Sequence, residues 1–181
     1  MQQGLLVIDV QNDYFSGGKC ELFQSQKALE NINLLVERFN QKGSPVIYIQ
    51  HIKDDENADF FARNSDGVKL HRDLRMAQNN RLVTKKFPNS FLETNLYGIL
   101  KELKVEQLVI VGMMTHMCID STTRAAKEKG FSPIVVSDCT ATKDLSYLDS
   151  SVDAEAVQTS FLSALRNFAL LQLTNEFLNE N

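Results

Sequence analysis

An aspartate, a lysine and a cysteine each follow a separate apolar run of the sequence. Asp9 and Lys85 come directly after such runs, and Cys118 follows another run across a short turn that begins at Gly112. Short apolar runs of this kind are typical of strands buried in a parallel sheet. Ligands bind beyond the carboxyl ends of such strands, so we expect the three side chains to meet at one edge of a sheet.

The thiol of Cys118 is a candidate nucleophile. A helical pattern runs from about Cys118 to Lys129. The free N–H groups and the dipole of a helix N-terminus stabilise a thiolate, so we expect the pKa of this thiol to lie below its ordinary value of about 8.5. The same N–H groups could stabilise the oxyanion of an attacked carbonyl. The alternative is an inert, buried cysteine, which is common among free cysteines.

The other polar residues at this edge also have structural interpretations. Asp9 could cap a loop, and Lys85 could be a solvated surface lysine. His51 follows another apolar run, and His116 lies in the turn before Cys118. Neither histidine has a partner at the spacing of metal ligands, so we expect polar or substrate-contacting roles for them and no metal site.

Apolar runs alternate with helical patterns along the chain. Runs that predict strands are at residues 5–8, 46–49, 81–84, 108–111 and 133–136, with a possible sixth at 169–173. Helical patterns cover residues 25–42, 92–103, 118–129 and 154–168. This alternation predicts an α/β fold: a three-layer, doubly wound, mainly parallel sheet of five or six strands with helices on both faces. Residues 52–80 show no period and predict a long excursion whose fold and role the sequence does not give.

Composition limits the function classes. The chain has 181 residues, which suits a single domain over residues 1–181, and its 43% hydrophobic content argues against disorder. A net charge of −4 argues against nucleic acid or an anionic membrane as partner. The first residues lack the basic segment of a signal peptide, and three widely spaced cysteines suit a reducing compartment, so we expect a cytoplasmic protein.

Four segments in chain order resemble the isochorismatase-like cysteine hydrolases. They are residues 6–15 (LVIDVQNDYF), 84–91 (TKKFPNSF), 112–118 (GMMTHMC) and 137–142 (SDCTAT). The resemblance covers nearly the whole chain and implies the same doubly wound fold.

Catalytic roles follow from this resemblance. It implies that Asp9 is the general base, that Lys85 supports the charged pair and that Cys118 is the nucleophile. It also implies a cis peptide bond between Met113 and Met114. The backbone N–H groups of Met114 and Cys118 would then form the oxyanion hole.

The resemblance implies a hydrolase that acts on non-peptide C–N bonds without a cofactor. The thiol would attack a small amide, carbamoyl or related acyl substrate, and water would hydrolyse the thioester. Vinyl-ether hydrolysis of isochorismate and a non-catalytic binding protein on the same scaffold remain alternatives. The sequence does not name the substrate.

The substrate pocket and the assembly are less constrained. Candidate pocket walls are Phe15, Phe91, His116 and Met117. Nicotinamidases carry a metal-binding Asp and His cluster after the second strand that the residues following His51 do not reproduce, so neither metal nor nicotinamide is expected. The family resemblance implies a homodimer or a higher homo-oligomer, with a small molecule as the only other partner.

Overall fold

A six-stranded parallel sheet forms the centre of the computed structural model, which describes residues 1–180. The eight strands within these residues are β1 (Gln3–Ile8), β2 (Val46–His51), β3 (Asn80–Lys85), β4 (Gln107–Met113), β5 (Ser132–Ala141), β6 (Leu145–Tyr147), β7 (Ser150–Val152) and β8 (Leu170–Gln172). The order across the sheet is β3-β2-β1-β4-β5-β8, whereas β6 and β7 form a separate antiparallel hairpin.

Five α-helices accompany the strands in the described part of the chain. They are α1 (Ser25–Gln41), α2 (Leu96–Glu102), α3 (Asp120–Glu128), α4 (Ala154–Leu165) and α5 (Thr174–Glu180). Apolar residues of α1 and α5 share one buried cluster, and those of α2, α3 and α4 share another. The helices therefore cover the sheet in two layers, as the sequence predicted. None of the helices in residues 1–180 is long and apolar enough to cross a membrane.

The continuous apolar run of β1 is explained by these two layers. Leu5 and Val7 belong to the cluster with α1, whereas Leu6 and Ile8 belong to the cluster with α2 and α3. Successive side chains of a strand point to opposite faces, so a strand covered on both sides needs apolar residues at every position.

The strand order reverses direction between β1 and β4. The chain winds outward from β1 through β2 to β3, then returns to the other side of β1 and continues through β4 and β5 to β8. Doubly wound sheets bind ligands beyond the carboxyl ends of the strands at this switch point. Asp9 follows β1 and Cys118 follows β4, so both residues lie at that point.

Several boundaries differ from the sequence predictions. The helix expected from residue 92 begins at Leu96, because the Thr94 hydroxyl donates to the Ser90 carbonyl and holds the preceding residues in a turn. A π-helical turn, Thr115–Ile119, precedes α3, so Cys118 lies inside this turn and does not start the α-helix. The β6–β7 hairpin was not predicted.

The excursion between β2 and β3 contains no helix and packs against the turn after β1. The N–H groups of Asn12 and Asp13 donate to the carbonyls of Lys69 and Gly67. The buried Asp13 carboxylate also accepts the N–H of Phe61 at 2.7 Å. These bonds hold the excursion over the carboxyl end of the sheet.

Candidate active site

Asp9 lies one residue beyond the end of β1 and is completely buried. Its backbone has a φ of +52°, in the left-handed region that aspartate tolerates better than most residues. Its N–H still donates to the Ile49 carbonyl of β2 at 3.1 Å, so the turn away from the strand starts at this residue. The carboxylate therefore has a fixed position beside β2.

Lys85 is the last residue of β3 and reaches across β2 to the same point. Its Nζ lies 2.9 Å from Asp9 Oδ2 and donates to the Pro88 carbonyl at 2.8 Å. Both charged side chains are completely buried. Burial alone would lower the pKa of Lys85, but the negative charge of Asp9 and the hydrogen bonds to Asp9 and Cys118 outweigh it and raise the pKa above its ordinary value.

Cys118 joins this pair from the turn after β4. The peptide bond between Met113 and Met114 is cis, and the π-helical turn follows directly. The Met114 carbonyl accepts the N–H groups of Met117 and Ile119, which ties this turn to the end of β4. Ligand-type atoms of Asp9, His51 and Cys118 all lie within 4.8 Å of one another, so the thiol, the carboxylate and the ammonium group form one cluster.

The thiol is protonated at neutral pH. Burial, followed by the Asp9 charge, raises the pKa of Cys118 to about 12, and Lys85 only partly opposes them. The expectation of a lowered pKa is therefore wrong. The reason is that Cys118 is only 2% exposed, and loss of hydration penalises the charged form more than the turn stabilises it.

His51 lies next to the thiol, whereas the sequence analysis predicted only a polar or substrate-contacting role for it. Its Nε2 lies 3.1 Å from the Lys86 carbonyl, which can only accept, so this nitrogen carries the proton. Nδ1 then has a free lone pair 3.9 Å from Cys118 Sγ and 3.8 Å from Asp9 Oδ2. Burial lowers the pKa of His51, so the ring is neutral at pH 7. The sequence signal for this residue was its place at the end of β2, next to Asp9.

Gln11 fixes the backbone that carries His51. Its Oε1 accepts the His51 N–H at 2.8 Å, and its Nε2 donates to the His51 carbonyl at 2.9 Å. The same Nε2 donates to the Val68 carbonyl at 2.7 Å. One buried amide therefore connects the turn after β1, the end of β2 and the long excursion.

Asp9, His51 and Cys118 are also the one group of metal-ligand residues that converges within residues 1–180. The Lys85 ammonium is 2.9 Å from Asp9, so a metal ion there would have to share the carboxylate with a buried positive charge. This arrangement does not favour a metal ion, and the absence of a metal stays a prediction.

The predicted pocket residues lie in different surroundings. Phe91 belongs to the same buried cluster as Cys118, whereas Phe15 packs on the opposite face with its ring 4.1 Å from that of His71. His116 Nδ1 lies 2.6 Å from the Thr142 hydroxyl. The substrate-binding roles remain predictions.

Two cavities open near the carboxyl ends of the strands. One, of about 690 Å³, is lined by Lys85 together with Asp54, Arg63 and Lys86. The other, of about 320 Å³, lies beyond β5 and is lined by Gln158, whose amide donates to the Thr140 hydroxyl at 2.8 Å. Both volumes are in the range of small-molecule sites.

Comparison with known proteins identifies the family of this chain. The family model named Isochorismatase domain matches residues 3–169. The chain belongs to the isochorismatase family. Members of this family are hydrolases, so the buried thiol, carboxylate and ammonium cluster lies in an enzyme scaffold.

Two of three similar proteins cover nearly the full length of this family member. The uncharacterised isochorismatase-family protein YddQ of Bacillus subtilis is 43% identical over 179 residues, which cover 98% of this chain and 99% of YddQ. A crystal structure of an isochorismatase hydrolase from Oleispira antarctica has a TM-score of 0.94 at 38% identity and covers 98% of this chain and 96% of that one. Nicotinamidase 3 of Arabidopsis thaliana is 25% identical over 150 residues, which cover 76% of this chain and 72% of the plant protein.

Proposed function

We propose that the chain is a cysteine-dependent hydrolase that cleaves a small amide, carbamoyl or related acyl substrate through a thioester. The observation that carries this proposal is the buried contact of Asp9 and Lys85 beside the Cys118 thiol. A nicotinamidase among the relatives supports an amide as substrate class.

Asp9 acts as the general base for the thiol. The resting site contains a carboxylate, an ammonium group and a neutral thiol. Transfer of the thiol proton to Asp9 converts this set into a carboxylic acid, an ammonium group and a thiolate. The net charge of the buried site stays the same, which avoids the large cost of creating an uncompensated charge away from water. Lys85 stabilises whichever of the two groups is negative.

The thiolate then attacks the carbonyl carbon of the substrate. The carbonyl oxygen gains negative charge, and the backbone N–H groups of Met114 and Cys118 stabilise it. The protonated Asp9 gives its proton to the leaving nitrogen, the C–N bond breaks and an acyl group remains on sulfur. Water subsequently hydrolyses this thioester and regenerates the thiol.

Variants of the cysteines test the proposal. A panel of small primary amides and carbamoyl compounds should release ammonia with the wild type, and Cys118→Ser should lower the rate by about 10³-fold or more. Cys20→Ser is the matched control, because Cys20 is free and lies outside the cluster. Intact-protein mass spectrometry should show the acyl adduct on Cys118. Equal activity of wild type and Cys118→Ser would refute the thioester route.

We also propose one domain over residues 1–181, a homo-oligomer and a cytoplasmic location. The family match over residues 3–169 supports the single domain. Exposed apolar side chains on the β6–β7 hairpin, Tyr147 and Leu148, support association of copies. Size-exclusion chromatography with light scattering measures the oligomeric state, and a monomer at all concentrations would contradict it.

A further inference from the structure

His51 is the most solvent-exposed member of the buried cluster. Its side chain is 9% exposed, whereas those of Asp9 and Lys85 are completely buried and Cys118 is 2% exposed. The water that hydrolyses a thioester must enter from solvent. Of the four side chains, the His51 ring is the most accessible to this water.

The ring is oriented for this task. Lys86 fixes the proton on Nε2, so the lone pair of Nδ1 is free to accept another. Nδ1 lies 3.9 Å from Cys118 Sγ, the atom that would carry the acyl group. Gln11 holds both backbone groups of His51, and the Lys86 carbonyl holds the ring through Nε2.

We propose that His51 is the general base of the deacylation step, an inference that rests on the proposed thioester chemistry. Nδ1 takes one proton from the entering water as the water oxygen bonds to the thioester carbon. The resulting tetrahedral intermediate collapses, the C–S bond breaks and the carboxylic acid product leaves. The imidazolium then returns its proton to the departing sulfur, so thiol and neutral ring are both restored.

The state of the resting thiol supports the return of this proton. Because burial and the Asp9 charge hold the pKa of Cys118 at about 12, the sulfur must be protonated again at the end of each turnover. A donor 3.9 Å away is close enough to serve once the acyl group has left. Asp9 is then free to act in acylation, and His51 acts in deacylation.

p-Nitrophenyl acetate is a suitable probe, because it acylates thiols and releases a coloured product. The wild type should show a burst of p-nitrophenolate followed by steady turnover. His51→Gln should keep the burst but lower the steady rate by about 10²-fold or more. Acetyl-Cys118 should then accumulate in the intact-protein mass spectrum. The glutamine amide can still donate to the Lys86 carbonyl, so the substitution replaces only the basic nitrogen.

Two controls separate a chemical role from a structural one. His71→Gln is the matched control, because His71 lies outside the cluster and should behave as the wild type. Hydroxylamine cleaves thioesters without a general base and should restore turnover of His51→Gln. Asp9→Asn should instead slow acylation by an amide substrate, because the leaving nitrogen then lacks the proton that Asp9 supplies.

The outcomes distinguish this inference from the proposed function. If folded His51→Gln deacylates at the wild-type rate, the role of His51 is overturned but the thioester chemistry is not. The same holds if deacylation is slow and hydroxylamine does not restore it. Absence of any acetyl adduct on Cys118 in the wild type would overturn the thioester chemistry and, with it, this inference.

Discussion

The pH dependence of alkylation tests whether Cys118 rests as a buried thiol. A pKa of about 12 leaves about one thiol in 10⁴ ionised at pH 8, whereas about a quarter of unperturbed cysteines with a pKa of about 8.5 are ionised there. Since only the thiolate reacts, ionisation alone should make Cys118 about 10³-fold slower than free cysteine. Its rate should rise about tenfold for each pH unit between about 8 and 10.

Iodoacetamide labelling followed by peptide mass spectrometry measures this rate for each cysteine separately. The low exposure of Cys118, 2%, slows labelling at every pH by the same factor. The slope of log rate against pH therefore reports ionisation without interference from access. A plateau above about pH 8.5, as for an ordinary thiol, would refute the assignment of a raised pKa.

The same assay determines the part played by each charged neighbour. The Asp9 carboxylate raises the pKa of Cys118 and the Lys85 ammonium lowers it. Asp9→Asn should therefore speed labelling at pH 8, and Lys85→Met should slow it. Slower labelling of Asp9→Asn would contradict this electrostatic account.

Four further predictions concern stability. Lys85→Met should lower the free energy of unfolding in urea by about 3–5 kcal/mol, because it leaves the Asp9 carboxylate buried without its cation. Adding Asp9→Asn should recover most of this loss. Equal stability of the single and double variants would contradict this prediction. The folded-state pKa of Lys85 is raised, so its charge contributes fully to the free energy of unfolding below the unfolded pKa of about 10.4. This contribution is lost as the pH rises through the raised folded-state value. The wild type should therefore lose stability at alkaline pH in a way that Lys85→Met does not. Gln11→Glu removes the amide donor that the buried His51 and Val68 carbonyls share and should lower the melting temperature by about 6 °C or more. An unchanged melting temperature by calorimetry would refute the stabilising role of these two hydrogen bonds. Gly112→Ala should prevent stable folding, as judged by circular dichroism, since a Cβ there would lie 2.0 Å from the Ile8 carbonyl oxygen at a φ of +120°; a native melting curve would refute this.

The sequence predicted the sheet because its strands are buried on both faces. Continuous apolar runs such as residues 5–8 are typical of strands buried in parallel sheets, and their alternation with helical periods limits the topology. The same reasoning placed Asp9, Lys85 and Cys118 at one edge, where the structure has them. Their catalytic roles came from the family resemblance and stay predictions.

The pKa of the thiol could not be predicted in this way. It depends on how completely residues far away in sequence exclude water from Cys118, and burial was the effect that the helix argument left out. The fold of the excursion over residues 52–80 could not be predicted either, because it depends on hydrogen bonds from two polar residues, Gln11 and Asp13, to its backbone. Such contacts leave no period in the sequence.

The charge balance of the cluster gives Lys85 a role that does not depend on contact with the substrate. Without Lys85, the completely buried Asp9 carboxylate would lack its cation and would destabilise the fold. With Lys85 at 2.9 Å, the carboxylate has a cation beside it in the resting protein, and the thiolate that replaces it during reaction has the same cation beside it. We therefore infer that Lys85 makes the buried proton transfer possible by keeping the net charge of the cluster constant, so loss of this ammonium should reduce the acylation rate even where the fold is retained.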